Sequence, residues 1–345
     1  MKRSAIFIMC FILLLLTAAA CKGDATPDSA SAGDTAESMA DVTSSDTVTS
    51  TETSSAEQIS SDVESSVPPS SSERASSEQT SSVTSSFVLM NYNVTVGEYT
   101  VNDAENSRGL STEKYEFGFG VAKGGKPHEI SVNNQKKFDS LENVKALALD
   151  TVSQDKCMYL TFDCGYEYNN LTDDILDILK EKNVKAAFFV TLSYIKKNPE
   201  KIDRMIKEGH IVGNHSATHP VFPDISRTKM AEELYKVDEY LQKHFNYKNK
   251  YFRFPTGAYS ENALELVTSV GYKSVFWSLA HGDYDTGKQP TVEKTFKTVT
   301  DRFHPGAVIL LHAISESNTK ALADIIDEAN AQGYTFKTLD DYFKQ

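Results

Sequence analysis

Cysteine is scarce in this sequence, with only four among its 345 residues. Cys10 lies in an apolar N-terminal segment, Cys21 directly follows that segment, and Cys157 and Cys164 remain. The last two flank one extended run, which would hold their Cα atoms about 20 Å apart. A disulfide requires about 5.5 Å. These two cysteines therefore cannot pair within the run, and each unpaired thiol needs another explanation.

The sequence also lacks an excess of basic residues, since 35 lysines and arginines stand against 48 aspartates and glutamates, for a net charge of −13. Residues 29–86 hold ten acidic residues and one arginine, and residues 1–28 have a net charge of +1, which leaves −5 for residues 87–345. A mildly acidic domain without a basic run argues against nucleic acid as a partner.

The apolar N-terminal segment, "MKRSAIFIMCFILLLLTAAAC", is short for a membrane span. Basic residues come first, an apolar stretch follows and small residues end it, which predicts a secretory signal peptide over residues 1–20. The position of Cys21 resembles the lipobox of bacterial lipoproteins. This resemblance implies a lipidated Cys21 and an extracytoplasmic, membrane-anchored protein, and the alternative is simple cleavage and secretion.

Residues 21–86 lack apolar periodicity, and from residue 29 onward about half of them are serine or threonine. Such a segment cannot bury enough apolar surface to offset the entropy that ordering it would cost. We predict a disordered linker that spans roughly 40 Å on average as a flexible coil. A linker of this kind would let an anchored domain reach into a cell wall.

Beyond residue 150, strand-like apolar runs alternate with amphipathic stretches such as residues 173–182 and 230–245. This alternation is typical of a parallel sheet covered by helices. We predict an α/β fold over residues 151–345, a distorted (β/α) barrel of about seven parallel strands, with an open doubly wound sheet as the alternative. Residues 87–150 have weak periodicity and are interpreted as an N-terminal extension packed on the barrel.

Ionisable residues follow or interrupt five of the seven apolar runs. In parallel α/β folds, the carboxyl ends of the strands form the functional face. We therefore expect these side chains to meet at one rim, and their convergence indicates a site. In chain order they are Asp163, Cys164, His215, His219, Arg253, Asp283 and His312.

His215 and His219 lie four residues apart in "GNHSATHP". This spacing would place both imidazoles on one face of a helical turn, which suits two ligands of one divalent metal ion. Two histidines on a surface loop are the alternative. The strand-like run directly before them favours ligation.

Five segments carry a resemblance to a known family, in the family's order: "TFDCGYE", "HSATH", "FRFPTGAYS", "FWSLAHGDYD" and "ILLHAIS". The chain resembles the polysaccharide deacetylases of carbohydrate esterase family 4, the NodB homology domain. "GHIVGNHSATHP" and "HPGAVILLHAIS" are similar to the subgroup of delta-lactam-biosynthetic, muramic acid de-N-acetylases. The resemblance implies a distorted (β/α) barrel and metal-assisted hydrolysis of N-acetyl groups on sugars.

The resemblance also implies catalytic roles for four residues. Asp163 would be the general base that deprotonates the attacking water, and Arg253 would keep it ionised and oriented. His312 would be the general acid that protonates the leaving amine. Asp283 would hold that imidazole and raise its pKa.

One divalent metal ion is implied, with His215 and His219 as ligands. Most family members add a second aspartate in the first motif, and Cys164 occupies that position here. We predict that a Cys164 thiolate completes a set of ligands that zinc accepts readily. The alternative is that Cys164 is a small buried apolar side chain, and that two histidines and solvent hold the metal.

The predicted function is removal of N-acetyl groups from peptidoglycan amino sugars, with muramic acid as the favoured sugar. One alternative is a deacetylase of another N- or O-acetylated polysaccharide. Another is a wall-binding module whose catalysis is weakened by the missing aspartate. The joint presence of Asp163, Arg253, Asp283 and His312 favours an enzyme, because glycan binding alone needs no acid–base pair.

Overall fold

The computed structural model describes residues 92–344. The predicted signal peptide over residues 1–20, the lipidation site at Cys21 and the linker over residues 21–86 lie outside the described residues. Among the helices within residues 92–344, none combines the length and the apolar character needed to cross a membrane.

Strands and helices alternate along most of the described chain. The strands are β1 (Val94–Val96), β2 (Tyr99–Val101), β3 (Tyr115–Glu116), β4 (Ala146–Leu147), β5 (Cys157–Cys164), β6 (Ala187–Val190), β7 (Ile211–Asn214), β8 (Tyr251–Phe252), β9 (Ala258–Tyr259), β10 (Lys273–Val275), β11 (Ala307–His312) and β12 (Thr335–Phe336). The α-helices are α1 (Glu129–Ser140), α2 (Leu171–Glu181), α3 (Leu192–Lys197), α4 (Pro199–Lys207), α5 (Arg227–Phe245), α6 (Glu261–Ser269), α7 (Val292–Thr300), α8 (Glu316–Ala331) and α9 (Leu339–Phe343).

The main sheet has the strand order β11-β5-β6-β7-β8-β10-β4, and every neighbouring pair is parallel. Strand β12 pairs in parallel with the first part of β5. Beyond β10, Leu279 pairs with Ile309 of β11, and the Leu310 amide donates to the Leu279 carbonyl at 2.9 Å. The sheet therefore curls back towards β11, and the predicted distorted barrel of about seven parallel strands is confirmed.

Strand β5 is buried along its whole length because both of its faces are covered. Leu160, Phe162 and Cys164 pack in the apolar cluster that contains α2 and α8. Cys157 and Tyr159 belong to a second cluster, which joins side chains of several strands to Leu339 of α9. Successive side chains of a strand point to opposite faces, so burial on both faces explains why this run is continuously apolar.

The two helices predicted from apolar spacing at residues 173–182 and 230–245 correspond to α2 and α5. Helix α5 begins earlier than predicted, because the Ser226 side chain accepts a hydrogen bond from the Lys229 amide and so caps its first turn. It ends at Asn246, whose φ of 50° lies in the left-handed region.

Residues 92–150 do more than pack on the outside of the barrel. Strand β4 extends the main sheet beside β10, and β3 pairs with β9. Phe117 and Phe138 stack near Phe276, with ring centroids 4.6 and 4.9 Å away. Strand β4 belongs to the main sheet although it lies before the predicted boundary at residue 150. The sequence did not indicate this strand, because two residues are too few to show an apolar period.

Candidate active site

The predicted site residues, with one exception, meet at the carboxyl ends of the parallel strands. Asp163 lies near the end of β5, and His312, the last residue of β11, is its direct neighbour in the register of the two strands. His215 directly follows β7 and Arg253 directly follows β8. Asp283, in the loop beyond β10, completes the group through its contact with His312.

Asp163 and Arg253 form a buried ion pair. The Arg253 Nη1 atom donates to Asp163 Oδ1 at 2.8 Å, and Arg253 has no exposed surface. Its other donors go to the Thr161 hydroxyl at 2.8 Å and the Val275 carbonyl at 3.0 Å. Burial by itself raises the pKa of Asp163, but the charge and hydrogen bond of Arg253 together with the nearby His215 and His312 outweigh it, so this pKa lies below its usual value. The carboxyl group is therefore ionised at neutral pH.

His312 and Asp283 form a second pair on the other side of Asp163. The Nδ1 atom of His312 donates to Asp283 Oδ1 at 2.8 Å, and the His312 backbone amide donates to Oδ2 at 2.8 Å. Burial lowers the pKa of His312, but the hydrogen bond and charge of Asp283 raise it above its usual value. Because Nδ1 is committed to a carboxylate, Nε2 is the ring nitrogen left for a substrate.

His215 and His219 bring their rings together in the loop after β7. Their ring centroids are 4.8 Å apart. The Nδ1 atom of His215 lies 2.9 Å from the Arg253 carbonyl, which can only accept, so Nδ1 carries the proton and Nε2 has a lone pair. Burial lowers the pKa of His215 to about 4 and also lowers that of His219. Both imidazoles are therefore neutral at pH 7, as a metal ligand must be.

The helical turn predicted for these two histidines is wrong. Residues 215–219 lie outside the helices and strands, and Ser216 and His219 have φ angles of 68° and 61°. The loop is held by side chains instead: the Ser216 hydroxyl accepts from the His219 amide at 2.9 Å. The imidazoles thus meet through a strained loop, which the i, i+4 spacing alone cannot reveal.

The donor set fits a divalent metal ion held by two histidines. The Nε2 atom of His215 lies 3.6 Å from Asp163 Oδ2, so a lone pair and an anionic oxygen face the same space. Within residues 92–344, however, no group of three His, Cys, Asp or Glu side chains is arranged to hold a metal ion. The remaining coordination positions would fall to solvent and substrate.

Cys164 is the exception among the predicted site residues. It follows Asp163 in β5, so its side chain points to the opposite face of the sheet. There it is fully buried in the apolar cluster with α2 and α8, and burial raises its thiol pKa well above the usual value. The prediction that a Cys164 thiolate is a metal ligand is therefore at odds with the structure, which favours the alternative of a small buried apolar side chain.

Two supporting residues were missed by the sequence reasoning. Thr161 accepts from Arg253 and donates to the Ile309 carbonyl at 2.6 Å. The sequence could have indicated Thr161, because a residue two positions before Asp163 in a strand lies on the same face of the sheet as Asp163. Asn318, near the start of α8, donates to the second oxygen of Asp283, and no feature of its surrounding sequence pointed to the site.

A model of the polysaccharide deacetylase family matches residues 150–275. The chain is also 40% identical over 218 residues to the peptidoglycan-N-acetylmuramic acid deacetylase PdaA of Bacillus subtilis, covering 61% of this chain and 82% of PdaA. The chain belongs to the polysaccharide deacetylase family. This polysaccharide deacetylase is also 45% identical over 187 residues to an uncharacterised protein of Geobacillus stearothermophilus, covering 54% of this chain and 70% of that protein.

The solved structure of Bacillus subtilis PdaA, a family 4 carbohydrate esterase, superposes on this polysaccharide deacetylase with a TM-score of 0.62 and 35% sequence identity. The match covers 68% of this chain and all of PdaA. The family predicted from the five motifs is confirmed. Polysaccharide deacetylases of this family are metal-dependent hydrolases.

Proposed function

We propose that this polysaccharide deacetylase removes the N-acetyl group from amino sugars of peptidoglycan, and that N-acetylmuramic acid is its substrate sugar. The similarity to PdaA, across 82% of that protein's length, supports the choice of sugar. The pairing of charged groups supports the reaction, because the buried Asp163–Arg253 pair lies beside the His312–Asp283 pair at one strand end.

The two pairs divide the proton transfers of amide hydrolysis between them. Asp163, held ionised by Arg253, accepts a proton from the attacking water. His312, whose protonated form is favoured by Asp283, donates a proton from Nε2 to the departing amine as the tetrahedral intermediate collapses. The pKa of the base is lowered and that of the acid is raised, so both shifts favour the protonation states that the reaction requires.

We propose zinc as the metal ion, with His215 and His219 as its protein ligands. Neutral imidazole nitrogens are ligands that zinc accepts, and the Arg253 carbonyl that binds Nδ1 of His215 orients the ring in the way typical of such ligands. When bound, the ion would supply Lewis acidity towards the amide carbonyl and towards water. Metal analysis of the purified protein, followed by zinc titration of the metal-free protein, tests this assignment without an activity assay.

A second candidate function is a wall-binding module with little turnover. Among the described residues, no group of three His, Cys, Asp or Glu side chains is arranged to hold a metal ion, which favours it. The retained acid–base pairs favour catalysis. Comparing glycan binding with acetate release, for the natural chain and for Asp163→Asn, separates the two: an enzyme loses release and keeps binding in the variant, whereas a binding module never releases acetate.

We also propose that the chain is exported, lipidated at Cys21 and attached to the outer face of the membrane. The support is the order of basic, apolar and small residues before Cys21. Cys21→Ser should move the protein from the membrane fraction to the medium. Retention of the variant in the membrane fraction would overturn the anchor.

Mass spectrometry of wall fragments, after digestion with the purified metal-loaded protein, tests the proposed reaction and its sugar together. Loss of acetyl from muramic acid is the expected result. Loss from glucosamine, or loss of an O-acetyl group, overturns the sugar or the bond, and an unchanged digest overturns the enzyme. Asp163→Asn should abolish the change, whereas Asp285→Asn, two residues beyond Asp283 on the exposed loop, should not.

A further inference from the structure

The loop that carries the two histidines adopts a backbone conformation that its own residues do not favour. Ser216 and His219 have positive φ angles of 68° and 61°, a region that residues with a Cβ atom avoid. Such conformations persist when the surrounding structure over-determines them. The geometry of any ion held here therefore depends on what restrains residues 215–219 from outside.

Asn214 provides one restraint at the start of the loop. Its amide is fully buried, and its Oδ1 atom accepts from the Ser216 backbone amide at 2.8 Å. Its Nδ2 atom donates to the Leu234 carbonyl at 3.0 Å and to the Tyr272 hydroxyl at 2.7 Å. A backbone donor on one side and a backbone acceptor on the other fix which atom is oxygen and which is nitrogen.

The chain of hydrogen bonds continues away from the site. The Tyr272 hydroxyl accepts from Asn214, so its own proton goes to Asp238, a carboxylate on α5. Tyr99, from β2, donates to the other oxygen of the same carboxylate. Two phenols therefore hold this carboxylate, and one of them also reaches Asn214.

We propose that Tyr272 and Asp238 are positioning residues for the metal ligand His215, acting through Asn214. Asp238 directs the Tyr272 proton away from Asn214, which leaves the hydroxyl oxygen as an acceptor for the Asn214 amide. The amide in turn holds the Ser216 backbone in its left-handed conformation, next to His215. This inference rests on the metal site of the proposed function. It concerns a series of hydrogen-bonded side chains that connects the histidine loop to α5.

Two matched phenol-to-phenyl variants test the proposal. Tyr272→Phe removes the hydroxyl that links Asp238 to Asn214, whereas Tyr99→Phe removes the other hydroxyl from the same carboxylate and leaves that link intact. The affinity for zinc is measured on metal-free full-length protein by competition with a chromophoric chelator. We expect about 10-fold weaker binding for Tyr272→Phe, as is usual for partners that orient a ligand, and an affinity within twofold of the natural chain for Tyr99→Phe.

Thermal unfolding of both metal-free variants controls for a general loss of stability, and the absorption spectrum of the cobalt-loaded proteins reports ligand geometry. Equal zinc affinity in Tyr272→Phe and the natural chain overturns the proposal, as does an equal loss in both variants. If Tyr272→Phe does not fold, Asp238→Leu, which removes both acceptor oxygens at a similar side-chain shape, takes its place with the same expected weakening. Zinc binding needs no substrate, so a protein that binds zinc as expected but releases no acetate refutes the proposed function alone.

Discussion

Replacing Asp283 by asparagine should shift the alkaline limit of activity to lower pH. In the natural chain, Asp283 has no exposed surface and accepts from both Nδ1 and the backbone amide of His312. The carboxylate raises the pKa of the imidazole against burial, which alone would lower it. Without the charge, burial dominates, so the pKa of His312 should fall below its usual value.

The size of this effect follows from the lost contact. A hydrogen bond to a charged group contributes about 1.5–3 kcal/mol, which corresponds to roughly a 10- to 150-fold change in the protonated fraction of the acid. At a pH above the natural chain's His312 pKa, acetate release should therefore fall by about 10- to 150-fold. The loss should shrink as the pH is lowered, because His312 then becomes protonated without help.

The assay is kcat/KM for acetate release as a function of pH, for the natural chain, Asp283→Asn and the matched control Asp285→Asn. Asp285 is exposed and its Oδ1 atom accepts from the Gly287 amide, so its variant should keep the natural profile. An alkaline limb that stays in place in Asp283→Asn would refute His312 as the acid. A limb that moves equally in both variants would show that loop charge in general, and not the pair, sets it.

Three further outcomes follow from the same contacts. Arg253→Met should cost about 3–5 kcal/mol of unfolding free energy in urea, because the Asp163 carboxylate is left buried and uncompensated, and the double variant with Asp163→Asn should recover part of it. The ionised Asp163 carboxylate stabilises the fold at any pH above its pKa in the unfolded chain, and this stability is lost as pH falls through its lower pKa in the folded chain. Asp163→Asn should therefore flatten the acid side of a plot of unfolding free energy against pH. An unchanged plot contradicts the ion pair. Cys164→Ser should keep zinc affinity within twofold, while the hydroxyl in an apolar cluster costs about 1–3 kcal/mol by urea unfolding; weaker zinc binding would restore the thiolate ligand.

The strands of the barrel could be predicted because a strand that is buried on both faces has a continuous apolar run in the sequence. The largely apolar residues 158–162 form the centre of β5, and the apolar residues 307–311 form most of β11. Parallel strands end at one edge, so placing Asp163 and His312 beside each other needed only the order of the runs. The meeting of these two side chains is a consequence of topology, which apolar patterning does encode.

The predictions that the structure contradicts concern features that are set by single residues and not by a repeating apolar pattern. Cys164 was assigned to the site from its position in a motif, although adjacent residues of one strand face opposite sides. His215 and His219 were given a helical turn from spacing alone, whereas the loop is set by side-chain hydrogen bonds from Asn214 and Ser216. Strand β4 has two residues, too few for any period to appear.

The junction at Asp150 has a consequence for how this fold can be moved or recombined. Its backbone amide donates to the Gly306 carbonyl at 2.9 Å, and its side chain accepts from the Tyr159 hydroxyl at 2.7 Å inside the barrel. Asp150 is also where the family match begins, three residues after β4, which lies at one end of the sheet's strand order. A fusion protein whose deacetylase part begins at Asp150 would lack β4, and the edge of β10 would be left unpaired. The segment before Asp150 therefore has to be included when this domain is transferred to another protein.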